Sequence, residues 1–181
     1  MRRLRLAGQG VAIGLVVALL GLLVWKVAQD DGGNPAVRFS QGKTTSAPSF
    51  TLRRLEGDGS VRLESLRGKV VVINFWASWC EPCKKEMPRL QQAWQRYRGR
   101  GVTFIGVNTT DFSGDAKRFV KRFGVTFPIV RDGNGRVLAK YGGLPIPWTY
   151  IVDRAGRIVG YIRGEVTAEA LEDGLQEALA T

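Results

Sequence analysis

Val70–Trp76, VVVINFW, is a continuous apolar, β-branched run in which Asn74 is the one polar residue. A strand with one wet face alternates apolar and polar residues. A strand without alternation is buried on both faces, at the centre of a sheet covered by helices. Cys80-Glu81-Pro82-Cys83 follows directly and opens a helical pattern over about Glu81–Arg98, with Leu90, Trp94 and Tyr97 on one side. Pro88 lies inside that helix, where its missing N–H predicts a kink.

The rest of the pattern is consistent with such a sheet. Phe50–Leu55 and Val61–Leu63 alternate around Gly57-Asp58-Gly59 and predict a β-hairpin. Val102–Asn108 reads as a second buried strand, Asp115–Phe123 as an amphipathic helix and Phe127–Val130 as a short strand. Trp148–Val152 and Ile158–Arg163 flank the turn Asp153-Arg154-Ala155-Gly156, and Thr167 is placed to cap a helix reaching Ala180. The class is α/β: a mixed central sheet with helices on both faces.

The N-terminus obeys other rules. Leu6–Trp25 carries no charge and is apolar on every face. Twenty residues of helix span about 30 Å, the thickness of a bilayer core. Arg2, Arg3 and Arg5 before it predict a cytoplasmic N-terminus and an outer C-terminal domain, and Trp25 and Lys26 suit the far interface. A cleaved signal peptide is the alternative, but Lys26-Val27-Ala28 puts lysine where a small residue is wanted. The expected organisation is a basic start and transmembrane anchor over 1–28, a flexible linker over 29–47, and one compact domain over 48–181.

Composition removes several chemistries. There are 2 cysteines and no histidine among 181 residues. A Ser-His-Asp triad, a Cys-His protease and histidine ligation of haem are therefore excluded, and a zinc site lacks a second ligand pair. The net charge is +11, spread along the chain without the dense basic tract that nucleic-acid binding would suggest. No metal and no nucleic-acid partner are expected.

The cysteine pair then carries the chemistry. At a helix N-terminus, free N–H groups and the helix dipole stabilise an anion, so Cys80 is the expected nucleophile. Pro82 fits the first turn, where no N–H is needed. Cys83, three residues on, is close enough to form a disulfide and resolve an adduct on Cys80. A structural staple is the plainer alternative, but so short a loop constrains the unfolded chain little.

The segment Asn74–Pro88, NFWASWCEPCKKEMP, resembles the active-site segment of thioredoxin-fold proteins, most closely the extracytoplasmic TlpA/ResA/CcmG group of anchored thiol–disulfide oxidoreductases. The resemblance covers about Pro48 to the end. It implies a thioredoxin fold with an N-terminal β-hairpin and a central insertion, roughly Thr109–Tyr141. It also implies a cis-proline at Pro147, with Pro145 a nearby competitor, and a substrate-pairing backbone at Ile146. Glu86 matches an active-site acid of the group, on the same side of the helix as Cys83. Its other possible role is an exposed partner for Arg89 or Lys85. Trp79, Glu81 and Pro82 match the residues around the substrate, and Trp76 is expected to be partly core. Thioredoxins carry aspartate at the position of Asn74; asparagine cannot titrate, which leaves proton handling to Glu86 or water.

The implied function is reduction of protein disulfides, such as the C-x-x-C-H sites of apocytochrome c. The implied electron source is a membrane-embedded thiol donor, with no cofactor beyond the Cys80–Cys83 disulfide. A disulfide oxidase or isomerase on the same fold is the main alternative. A peroxiredoxin is another, although the Pro-x-x-x-Thr/Ser-x-x-Cys loop is missing before Cys80.

Overall fold

The computed structural model describes residues 14–26, 34–40 and 45–181. Residues 14–26 form a helix, α1, with exposed side chains. Among the described residues no helix is long and apolar enough to cross a membrane. Residues 6–13 of the expected span lie outside the described residues.

All seven residues of β4 (Val70–Trp76), Asn74 included, are buried, as the lack of alternation predicts. β4 lies inside a six-stranded sheet of order β1-β8-β7-β4-β5-β6. Its neighbours are β5 (Val102–Thr109), parallel to it, and β7 (Trp148–Val152), antiparallel. β6 (Ile129–Asp132) extends the parallel side, and β8 (Arg157–Arg163) the antiparallel side. β2 (Thr51–Arg53) and β3 (Ser60–Arg62) form the expected hairpin as a separate pair.

Helix α3 (Glu81–Tyr97) leaves the end of β4 through a short turn and continues as one helix across Pro88. Helices α4 (Ser113–Arg122) and α5 (Arg136–Lys140) flank β6 within the region, roughly Thr109–Tyr141, expected as the central insertion. Helix α6 (Ala168–Ala180) begins at Thr167, whose side chain accepts a hydrogen bond from the Ala170 N–H at 3.2 Å. One capping bond of this kind contributes about 1 kcal/mol.

Two short elements occupy the segment expected to be a linker. α2 (Pro35–Ser40) is a helix, with Ala36 buried, and β1 (Thr45–Ser46) pairs with Ile158 and Arg157 at the edge of β8. Neither shows in the pattern, because six and two residues are too few for periodicity and β1 depends on an edge supplied from 111 residues away.

Packing fixes where β4 ends. Trp76 is fully buried and stacks on Phe119 of α4, with ring centroids 4.6 Å apart, so it is entirely core. Gly106 on β5 makes room for it. A Cβ there would lie 2.9 Å from the indole Nε1 and 2.5 Å from Ile129 Cδ1.

Candidate active site

Cys80 is the N-cap residue of α3, and Glu81 and Pro82 form its first turn. Cys80 and Cys83 are joined by a disulfide with S–S 2.04 Å and Cα–Cα 5.3 Å. The Cys83 N–H points at Cys80 Sγ from 3.3 Å. That free helix-end donor would stabilise a thiolate on Cys80 once the bond is reduced. Both sulfurs are well covered, Cys80 at 4% exposure and Cys83 at 0%.

The opposite wall comes from the start of β7. The Ile146–Pro147 peptide is cis, and Cys80 Sγ lies 3.9 Å from the Ile146 carbonyl oxygen. Ile146 and Pro147 are thus brought to the cysteine pair. Leu144–Pro145 is cis as well, so the two prolines are not alternatives.

Glu86 is completely buried, which removes the exposed-partner reading. Its Oε1 accepts a hydrogen bond from Asn74 Nδ2 at 2.7 Å, and its Oε2 one from the Val166 N–H at 2.9 Å. Asn74 Nδ2 also donates to Thr149 Oγ1, its cross-strand partner on β7, at 3.0 Å. Asn74 Oδ1 has no partner. Burial raises the Glu86 carboxyl to about 7; the two hydrogen bonds and Arg89 oppose that rise, and Glu165 adds to it. This carboxyl, three residues after Cys83 on the same helix, can therefore exchange a proton near neutrality.

Glu81 behaves differently. It is exposed and hydrogen-bonded to Lys84, whose bond and charge hold its carboxyl below the ordinary range, with smaller contributions from Lys85 and Arg122. A firmly ionised group thus stands beside Cys80.

A clamp that sequence reasoning missed fixes the turn before Cys80. Asp111 is buried; its Oδ2 accepts from the Ser78 N–H at 2.7 Å and from Asn108 Nδ2 at 2.9 Å. Its Oδ1 accepts from Ser78 Oγ and from the Phe112 N–H, each at 2.8 Å. Trp79 Nε1 donates to the Thr110 carbonyl at 3.2 Å. No local pattern marks Asp111, because its partner Ser78 is 33 residues away. Between residues 45 and 181, the exposed large apolar side chains are Trp79, Phe112 and Leu144. Trp79 immediately precedes Cys80, Phe112 follows Asp111 of the clamp, and Leu144 precedes the two cis prolines.

Comparison with known proteins agrees with this architecture. The AhpC/TSA family pattern matches residues 44–161. The thiol-disulfide oxidoreductase ResA of Geobacillus thermodenitrificans is 36% identical over 177 residues, covering 95% of each chain. ResA of Geobacillus kaustophilus is 39% identical over 132 residues, 73% of this chain and 75% of the relative. A solved thiol:disulfide interchange protein of the thioredoxin family from Chlorobium tepidum superposes with a TM-score of 0.68 at 28% identity, covering 76% of this chain and 97% of the other. The chain therefore belongs to the AhpC/TSA family of the thioredoxin superfamily, in its ResA-like group of thiol-disulfide oxidoreductases.

Proposed function

We propose that this chain is an extracytoplasmic protein-disulfide reductase. The segment 6–25 holds it at the cell membrane, and it returns oxidised C-x-x-C-H sites of apocytochrome c to the dithiol state. The observation that carries the direction is Glu81. Its ion pair with Lys84 leaves no net positive charge in the first turn beside Cys80, and strong oxidants of this fold depend on a strongly stabilised thiolate. A less stabilised thiolate makes the reduced pair the better electron donor.

In the forward cycle the Cys80 thiolate attacks one sulfur of the substrate disulfide. A Cys80–substrate S–S bond forms, the substrate bond breaks, and the departing sulfur takes up a proton. Cys83 then gives its proton to the Glu86 carboxylate and attacks Cys80 Sγ. This forms the Cys80–Cys83 bond and expels the second substrate sulfur, which is protonated in turn. The substrate gains two electrons and two protons. A membrane-embedded thiol carrier restores the dithiol, a donor in keeping with a domain tethered at the bilayer.

The test mixes the reduced chain with an oxidised C-x-x-C-H peptide and, separately, the oxidised chain with the same peptide reduced. Free thiols should collect on the peptide in both mixtures at equilibrium. Disulfide collecting on the peptide would reverse the assigned direction.

A further inference from the structure

A groove of about 500 Å³ runs beside the active-site turn, between Trp79 and helix α4. Its walls include Ser78, Trp79, Lys84, Arg118, Phe119 and Arg122. Three cations thus face it, against the single acid Asp115. Two of them already have a carboxylate: Lys84 holds Glu81, and Arg118 holds Asp115. Arg122 has no ion pair among the described residues, and its guanidinium lies 5.7 Å from the Phe123 ring centroid. Lys117 and Lys121 are exposed on the same helix, also without an ion pair among the described residues. The field of Arg122 reaches as far as Glu81, whose carboxyl it helps to lower.

We propose that this groove binds an acidic segment of the substrate protein next to its disulfide, so that the preferred substrates carry Asp or Glu flanking the bond to be reduced. The inference rests on the reductase reading and adds the substrate's chemistry to it. Charge complementarity selects the occupant. The groove is net positive, begins in the turn before Cys80, and is lined by the exposed Trp79 together with Phe119 and Phe123. An extended acidic peptide with apolar side chains near its cysteines uses both features at once. Carboxylates can displace the exposed Asp115 and Glu81 pairs at little cost, because surface ion pairs are weak. The preference is electrostatic, so it is felt chiefly in the rate of encounter and is screened by salt.

The experiment uses the full reduced chain and two cyclic disulfide peptides, identical except for three Asp or three Lys beside the disulfide. Each rate is normalised to that peptide's rate with dithiothreitol. The acidic peptide should react roughly tenfold faster at about 20 mM NaCl, with the ratio falling towards one at about 0.3 M. Arg118→Glu/Arg122→Glu should bring the low-salt ratio to one or below, as should Arg118→Gln/Arg122→Gln if the charge reversal fails to fold. Arg98→Glu/Arg100→Glu makes the same change in net charge at the far end of α3, about 25 Å of helix from Cys80, and should keep the preference. A wild-type ratio near one, or a preference abolished equally by both double reversals, overturns the groove assignment. So does a ratio near one combined with groove-dependent binding to vesicles of anionic phospholipid, which would make this face a lipid contact. Failure to reduce either peptide overturns the reductase reading and the inference with it.

Discussion

Cys83→Ser should accumulate a mixed disulfide between Cys80 and the substrate protein, visible as a reducible adduct on a non-reducing gel. Cys80→Ser should form none. Both variants should lose steady-state turnover by roughly a thousandfold or more, because a serine hydroxyl does not replace a thiolate in disulfide exchange. The asymmetry comes from geometry. Cys80 is the N-cap residue, faces the Ile146 carbonyl at 3.9 Å and receives the Cys83 N–H. Cys83 is fully covered, so a protein disulfide can approach only Cys80. Adducts forming through Cys83 alone, or in neither variant, would contradict the two-step cycle.

The second large effect concerns Glu86. Its carboxyl sits at about 7, against an ordinary value of 4.5. Below pH 4.5 it is protonated whether the chain is folded or not, and costs nothing. As pH rises from 4.5 to 7 the unfolded chain releases the proton while the folded chain keeps it, so stability falls. Above 7 the folded carboxyl is ionised as well, and the loss is complete. At about 1.4 kcal/mol per pH unit over those 2.5 units, the burden is on the order of 3 kcal/mol. Glu86→Gln should therefore match the wild-type oxidised protein at about pH 4 and exceed it by about that amount at pH 8, measured by urea denaturation. The glutamine can be accommodated: its oxygen accepts the Val166 N–H, and the Asn74 amide turns its unpartnered Oδ1 towards the new N–H donor. The same variant should flatten the pH dependence of mixed-disulfide resolution around neutrality. A wild-type-like stability gap and an unchanged pH profile would return Glu86 to a purely structural role.

These effects show why part of the site could be read in the sequence. The C-x-x-C pair needed only its place between a run that is apolar but for Asn74 and an amphipathic helix, both local signals. Pro147 was legible through the resemblance of its surroundings. Glu86 was half legible: the i, i+3 spacing puts it below Cys83, but that spacing is equally that of an exposed glutamate. Its burial depends on Asn74 from β4 and the Val166 N–H, which is 80 residues away. Asn74 stood out as the one polar residue in β4, yet its register against Thr149 is set by β4–β7 pairing, which no local pattern encodes. The Asp111 clamp and the short elements α2 and β1 arise in the same way, from contacts made only once the sheet has assembled.

The reduction potential of the Cys80–Cys83 pair tests the central claim most directly. It can be measured on the full chain by titration in a glutathione or dithiothreitol redox buffer. The exposed Trp79, beside the disulfide, should report the change by fluorescence. A potential at or below about −250 mV, in the range of thioredoxin, is the expected result for a reductase whose Cys80 thiolate gains no net positive charge from the Glu81–Lys84 pair. A value near −120 mV, roughly that of a strong oxidant, would contradict that account and assign the pair to disulfide formation.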